Sequence, residues 1–124
     1  MSKFKGLYLQ QGSKKFNLGY VELEIQRTLG NPNWEITIRC EDIWGVYKAW
    51  SNNQTFQLSA EWTSKAYGVT VLESISGMVV IMEVNPNKTP SPSSGIPCYT
   101  ISGVSPNLTV SGIPDNERVK VMFD

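Results

Sequence analysis

The acids best spaced for chemistry are Glu22, Glu24 and Glu35. Paired carboxylates on one sheet face can hydrolyse a glycosidic bond when one acts as acid and the other as base or nucleophile. Glu22 and Glu35 are the pair to consider, with Glu61 on another segment. Their neighbours are Gln26, Thr37, Arg39, Gln57 and Ser59, which reads as the wet face of a sheet. Histidine is absent from the chain. That removes Ser-His and Cys-His nucleophile pairs and the commonest metal ligand. Cys40 and Cys98 cannot complete a zinc site by themselves. Two reduced, buried thiols are expected, with a single Cys40–Cys98 bridge as the alternative. Cys98 has no nearby cation to activate it as a nucleophile. No Gly-rich turn precedes a helix to cradle phosphate. No catalytic residue, metal or cofactor is expected.

The aromatic residues offer contact chemistry. Trp44, Tyr47 and Trp50 fall within seven residues beside the polar stretch Ser51–Gln54. Exposed Trp and Tyr stack on sugars and anchor protein interfaces. Tyr47 is out of phase with the two tryptophans and is the best candidate for exposure. Single-stranded nucleic acid would need interleaved Arg and Lys, and only Lys48 is present there.

These groups must be positioned by strands. Met78-Val79-Val80-Ile81-Met82-Glu83-Val84 is the most apolar run, follows Gly77 and precedes Asn85-Pro86. Its length and β-branched content predict a central strand covered on both faces. Tyr20–Gln26 and Trp34–Cys40 alternate strictly and predict a hairpin across Leu29–Asn33. Its outward row holds Glu22, Glu24, Glu35, Thr37 and Arg39. Residues 41–50 are expected as a bent strand with a bulge at Gly45. Thr55–Trp62 alternates, Thr63–Ala66 turns, and Tyr67–Leu72 resumes, with a further turn at Ser74–Gly77. Short strands over Leu7–Leu9, Cys98–Ile101, Leu108–Ile113 and Arg118–Phe123 complete the set, the last two joined by residues 114–117.

Some eight or nine strands at intervals of ~8–12 residues, without sustained helical periodicity, predict an all-β fold. A two-layer antiparallel β-sandwich of Ig-like or jelly-roll type is preferred over a small barrel. At 124 residues, 40% hydrophobic, the chain is one domain with a core of its own. Two features stand outside that core. Lys3, Lys5, Lys14 and Lys15 form a basic N-terminal arm over residues 1–15, with no acid among the first twenty. Residues 85–97 hold Pro86, Pro90, Pro92 and Pro97 and predict a long Pro/Ser-rich loop.

Eleven basic and eleven acidic residues leave no global field to gather nucleic acid or an anionic membrane. No segment approaches the ~18 apolar residues of a membrane span. The N-terminus lacks the apolar stretch of a signal peptide, so synthesis in the cytoplasm is expected if Met1 is the native start. The function expected is non-catalytic: an assembly subunit, such as a phage capsid decoration, neck, tail or fibre protein incorporated in a virion. Its partners would be other protein subunits, gripped through Trp44, Tyr47 and Trp50, the four lysines, and Pro90 and Pro92. The alternatives are a carbohydrate-binding module with a Trp/Tyr platform and a small glycoside hydrolase with paired Glu.

Overall fold

The computed structural model describes residues 3–27, 30–112 and 118–122. In chain order they form β1 (Lys3–Gln11), β2 (Lys14–Phe16), β3 (Val21–Gln26), β4 (Trp34–Cys40), α1 (Trp44–Trp50), β5 (Thr55–Ala66), β6 (Val69–Pro90), β7 (Pro97–Ser105), β8 (Thr109–Ser111) and β9 (Arg118–Met122). The fold is all-β with one short helix.

The strands join one sheet in the order β2-β1-β5-β6-β7-β4-β3-β9, with β8 on β6. All pairs are antiparallel except one: Lys3 of β1 meets Met122 of β9 in parallel. That contact returns the sheet to its first long strand and makes a closed circuit. Hydrogen bonding therefore does not divide the described residues into two sheets.

Period-two patterning explains the core. Val21, Leu23 and Ile25 of β3 face Cys40, Ile38 and Ile36 of β4, and all six are buried. Phe56, Leu58, Ala60 and Trp62 fill the inner face of β5. The fully buried Trp62 donates its indole N–H to Glu73 at 3.1 Å, and Ser64 donates its hydroxyl to the same carboxylate oxygen. Gly103 lets β7 pass close to β6: a Cβ there would lie 2.7 Å from the Val80 carbonyl oxygen.

Several expectations are corrected. Residues 44–50 are helix, not bent strand. Ile43 and Val46 are buried and Trp50 lies one turn further on, which is the i, i+3, i+7 stripe of a helix. Asp42 accepts the Trp44 amide at 3.1 Å and starts the turn. Gly45 does not form a bulge; it admits the Phe16 ring, which would meet a Cβ at 3.3 Å. Residues 63–66 and 74–77 do not turn. They belong to β5 and β6, which pair without interruption from Thr55↔Val80 to Ala66↔Val69 and turn at Tyr67-Gly68. The run 78–84 is covered on one face: Val79 and Ile81 are buried, whereas Met82 is 61% exposed.

The expected arm at 1–15 does not hang free, because from Lys3 onward it is β1 and the β2 hairpin, with β1 paired to β5. The expected loop at 85–97 is largely strand as well, with Thr89↔Cys98 and Pro90↔Pro97 paired around a short tip. The turn expected at 114–117 and the strand end at Phe123 lie outside the described residues. No helix among the described residues is long and apolar enough to cross a membrane, which says nothing of strands.

Candidate contact surface

α1 carries the candidate surface. Its buried stripe packs on the core, and Trp50 fixes it further by donating its indole N–H to the Ile81 carbonyl at 2.8 Å. Trp50 is thus an anchor of the helix. Beside that stripe α1 presents Trp44, which is 55% exposed, and Tyr47, also exposed. Tyr47 lies between the two tryptophans, with ring centroids 6.0 Å from Trp44 and 6.1 Å from Trp50.

The strands add two residues that the sequence reading missed. Tyr99 of β7 sits edge-on to Trp44 at 5.6 Å, and the Lys88 ammonium lies 5.1 Å from the Tyr99 centroid. Tyr99 reaches this place because β7 pairs with β4 so that it opposes Cys40, just ahead of the helix. No local sequence signal marks it. Together these side chains form a row from Trp50 through Tyr47, Trp44 and Tyr99 to Lys88. Neighbouring rings are inclined by 54–70°, so the row is ridged and not a flat platform.

The remaining candidates lie elsewhere. Lys14 and Lys15 belong to β2 and sit over Phe16 and Tyr8 at 5.4 and 4.5 Å from the ring centroids. The backbones of Lys3 and Lys5 lie in β1. Pro90 ends β6, and Pro92 is exposed in the hairpin tip. That tip is held. Ser91 accepts from the Gly95 amide and donates its own amide to Ile96, both at about 2.9 Å or less. Ser91 and Ser94 donate their hydroxyls to the two oxygens of Glu22, at 2.6 and 2.8 Å. Glu22 is only 3% exposed although it stands on the outer face of β3, because the tip covers it. Burial pushes the neighbouring Tyr20 phenol above its ordinary 10.0.

Glu22 and Glu35 do not converge as a hydrolytic pair. Glu35 opposes Gln26, and accepts from its amide at 2.7 Å. Gln26 is four residues along β3 from Glu22, a separation of about 13 Å at the usual strand rise. Glu24 pairs with Arg39 at 3.7 Å. Glu61 is exposed on β5. Among the described residues no group of three or more His, Cys, Asp or Glu could hold a metal.

Both cysteines are free and buried. Cys40 opposes Tyr99, so by strand alternation Cys98 lies on the other face of the sheet, which separates the thiols despite their closeness in the ladder. Burial pushes the Cys40 thiol up to about 12, and the Asp42 carbonyl beside its sulfur lowers it only in part. Cys98 is also raised, first by burial and then by Glu22. Neither is poised as a thiolate.

Comparison with protein-family models, curated proteins and solved structures finds no match to this chain.

Proposed function

We propose that this protein is a non-catalytic interaction protein, a subunit of a larger assembly of the kind found in phage capsid decoration, neck, tail or fibre structures. It makes its heterologous contacts through the ridge of Trp44, Tyr47, Tyr99 and Lys88. In this reading the sheet circuit is flattened into the two layers of an Ig-like or jelly-roll sandwich, a stiff support for that ridge. The observation that carries the proposal is the exposure of Trp44 on a helix locked by Ile43, Val46 and Trp50. An aromatic group held in place before binding loses little conformational entropy on docking. Trp and Tyr are also the residue types that dominate interface energetics. The inclined rings favour a protein groove over the flat face of a polysaccharide.

The test is mass photometry of the protein with candidate virion subunits from the same source, using wild type and Trp44→Ala. The substitution should weaken a complex by ~30-fold or more, as loss of a hot-spot residue does. A complex indifferent to Trp44→Ala refutes the assignment of the ridge. Binding on a glycan array that Trp44→Ala abolishes would replace the assembly reading with the carbohydrate one.

A further inference from the structure

The exposed Trp44 ring is also one wall of a cleft. The cleft holds about 430 Å³ and is lined by Asn17, Gly19, Glu41, Asp42 and Trp44. Its two acids are held by the backbone. Gly19, at φ 67°, leaves room for the Glu41 side chain, which a Cβ there would strike. Glu41 accepts the Tyr20 amide at 2.8 Å, and Asp42 accepts the Trp44 amide at 3.1 Å. Each carboxylate so commits one oxygen. Among the described residues neither acid meets a cation, and the second oxygen of each has no protein donor. The backbone contacts explain where the acids stand and leave their charge uncompensated.

The chain as a whole is neutral, so this charge is local. No basic residue is among the described residues that line the cleft. Lys88, the cation of the ridge, lies on the far side of Tyr99 from Trp44 in the contact row. The indole adds a second, unlike preference for the same ligand. An aromatic face attracts a cation through its quadrupole, and Trp does so best. A guanidinium satisfies both walls at once. Its flat face stacks on a ring while the N–H groups at its edge donate to carboxylates. An ammonium is a compact, strongly hydrated charge without that geometry.

We propose that the cleft receives an arginine side chain of the partner protein that docks on the α1 ridge, with the guanidinium against Trp44 and its N–H groups donating to Glu41 and Asp42. The inference rests on the ridge being a contact surface and adds the charge of what meets it. A partner surface of this chemistry is apolar where it covers the ring and basic beside it.

The probe is the capped peptide acetyl-Gly-Arg-Gly-amide, titrated into the full chain and followed in ¹H–¹⁵N spectra. Its citrulline counterpart has nearly the same shape without the charge. The Trp44 indole and Gly19 amide signals should shift saturably with the arginine peptide, with a Kd on the order of 10 mM. The citrulline peptide should bind about 5-fold more weakly or worse, and added salt should narrow that difference. The double variant Glu41→Gln/Asp42→Asn keeps an accepting oxygen for each backbone amide, so its thermal midpoint should stay near that of wild type. It should lose the preference for arginine over citrulline.

The absence of a saturable shift up to ~50 mM overturns the proposal. So does a citrulline peptide that binds equally well, or a double variant that keeps the preference. The complex with virion subunits separates this inference from the reading beneath it. A complex weakened by Trp44→Ala and about 5-fold or more by the double variant supports both. One weakened by Trp44→Ala and indifferent to the double variant overturns the arginine contact alone. One indifferent to both removes the ridge and this inference with it.

Discussion

Replacing Glu22 with alanine tests whether the 91–96 tip is a fixed part of the fold. The carboxylate receives hydroxyl protons from Ser91 and Ser94 across 69 and 72 residues of chain. Hydrogen bonds to a charged group contribute about 1.5–3 kcal/mol net. The two are not equal. Ser94 is exposed, so water replaces Glu22 there at little cost. Ser91 is buried, and its oxygen already accepts the Ser93 amide at 3.2 Å, so removing Glu22 orphans only its O–H. An orphaned buried donor costs about 1–3 kcal/mol.

Glu22→Ala should therefore destabilise by about 3 kcal/mol, mostly through Ser91. Glu22→Gln keeps the shape and one accepting oxygen and should cost about 1 kcal/mol. Urea titration reads both, as a shift in midpoint at constant slope. A double-mutant cycle should give a Glu22–Ser91 coupling above about 1 kcal/mol and a smaller Glu22–Ser94 coupling. Hydrogen exchange at the Ser91 and Gly95 amides should accelerate in Glu22→Ala. A stability change within about 0.5 kcal/mol of wild type, or no coupling to Ser91, would refute the claim that Glu22 fastens the tip.

Two further predictions follow from the core. The folded Cys40 thiol holds its proton up to about 12 against an ordinary value of 9.0, so its stabilising effect is complete below pH 9. It is lost as the pH rises towards 12, at up to about 1.4 kcal/mol per pH unit; urea midpoints at pH 8 and 10.5 check the sign, and a midpoint that does not fall contradicts it. Gly103→Ala should lower stability by about 2 kcal/mol or more, because the new methyl would meet the Val80 carbonyl and the Val79 side chain at under 3 Å. An unchanged thermal midpoint would mean that β6 and β7 do not approach so closely.

What was legible in the sequence was what repeats over short distances. The β3–β4 hairpin could be read because Val21, Leu23 and Ile25 and then Trp34, Ile36 and Ile38 alternate without interruption; that pattern allows Ile25 to face Trp34 or Ile36, and the structure pairs it with Ile36. α1 was misread because spacing by four satisfies both periods: Val46 and Trp50 share a face in a strand and in a helix. Only Ile43, three before Val46, separates the two, and a seven-residue element gives few such votes. Ser74 and Gly77 resemble a turn, yet the partner strand β5 carries an uninterrupted set of opposing residues and holds them extended. The prolines of 85–97 suggested irregularity, but Pro90 and Pro97 sit opposite each other at the end of a ladder, where a missing N–H is tolerated. The ring contact between Trp44 and Tyr99 and the clasp on Glu22 depend on strand order, which local patterning does not encode.

The interior and the surface follow different rules in this molecule. Among the described residues no buried side-chain nitrogen or oxygen lacks a partner. Even the inward carboxylate of Glu73 is met by Trp62 and Ser64. The surface keeps Trp44 open on a locked helix and Tyr67 open on a strained turn. Asn would fit the turn at lower strain than Tyr67, whereas Trp44 packs one part of its ring on Tyr47 and Tyr99 and leaves the rest open. On the proposed reading, the exposed part of Trp44 is kept for contact with another molecule. If the ridge is adhesive, Trp44→Ala should weaken a complex with other subunits, whereas Tyr67→Asn should raise the thermal midpoint by relieving the turn and leave that complex unchanged.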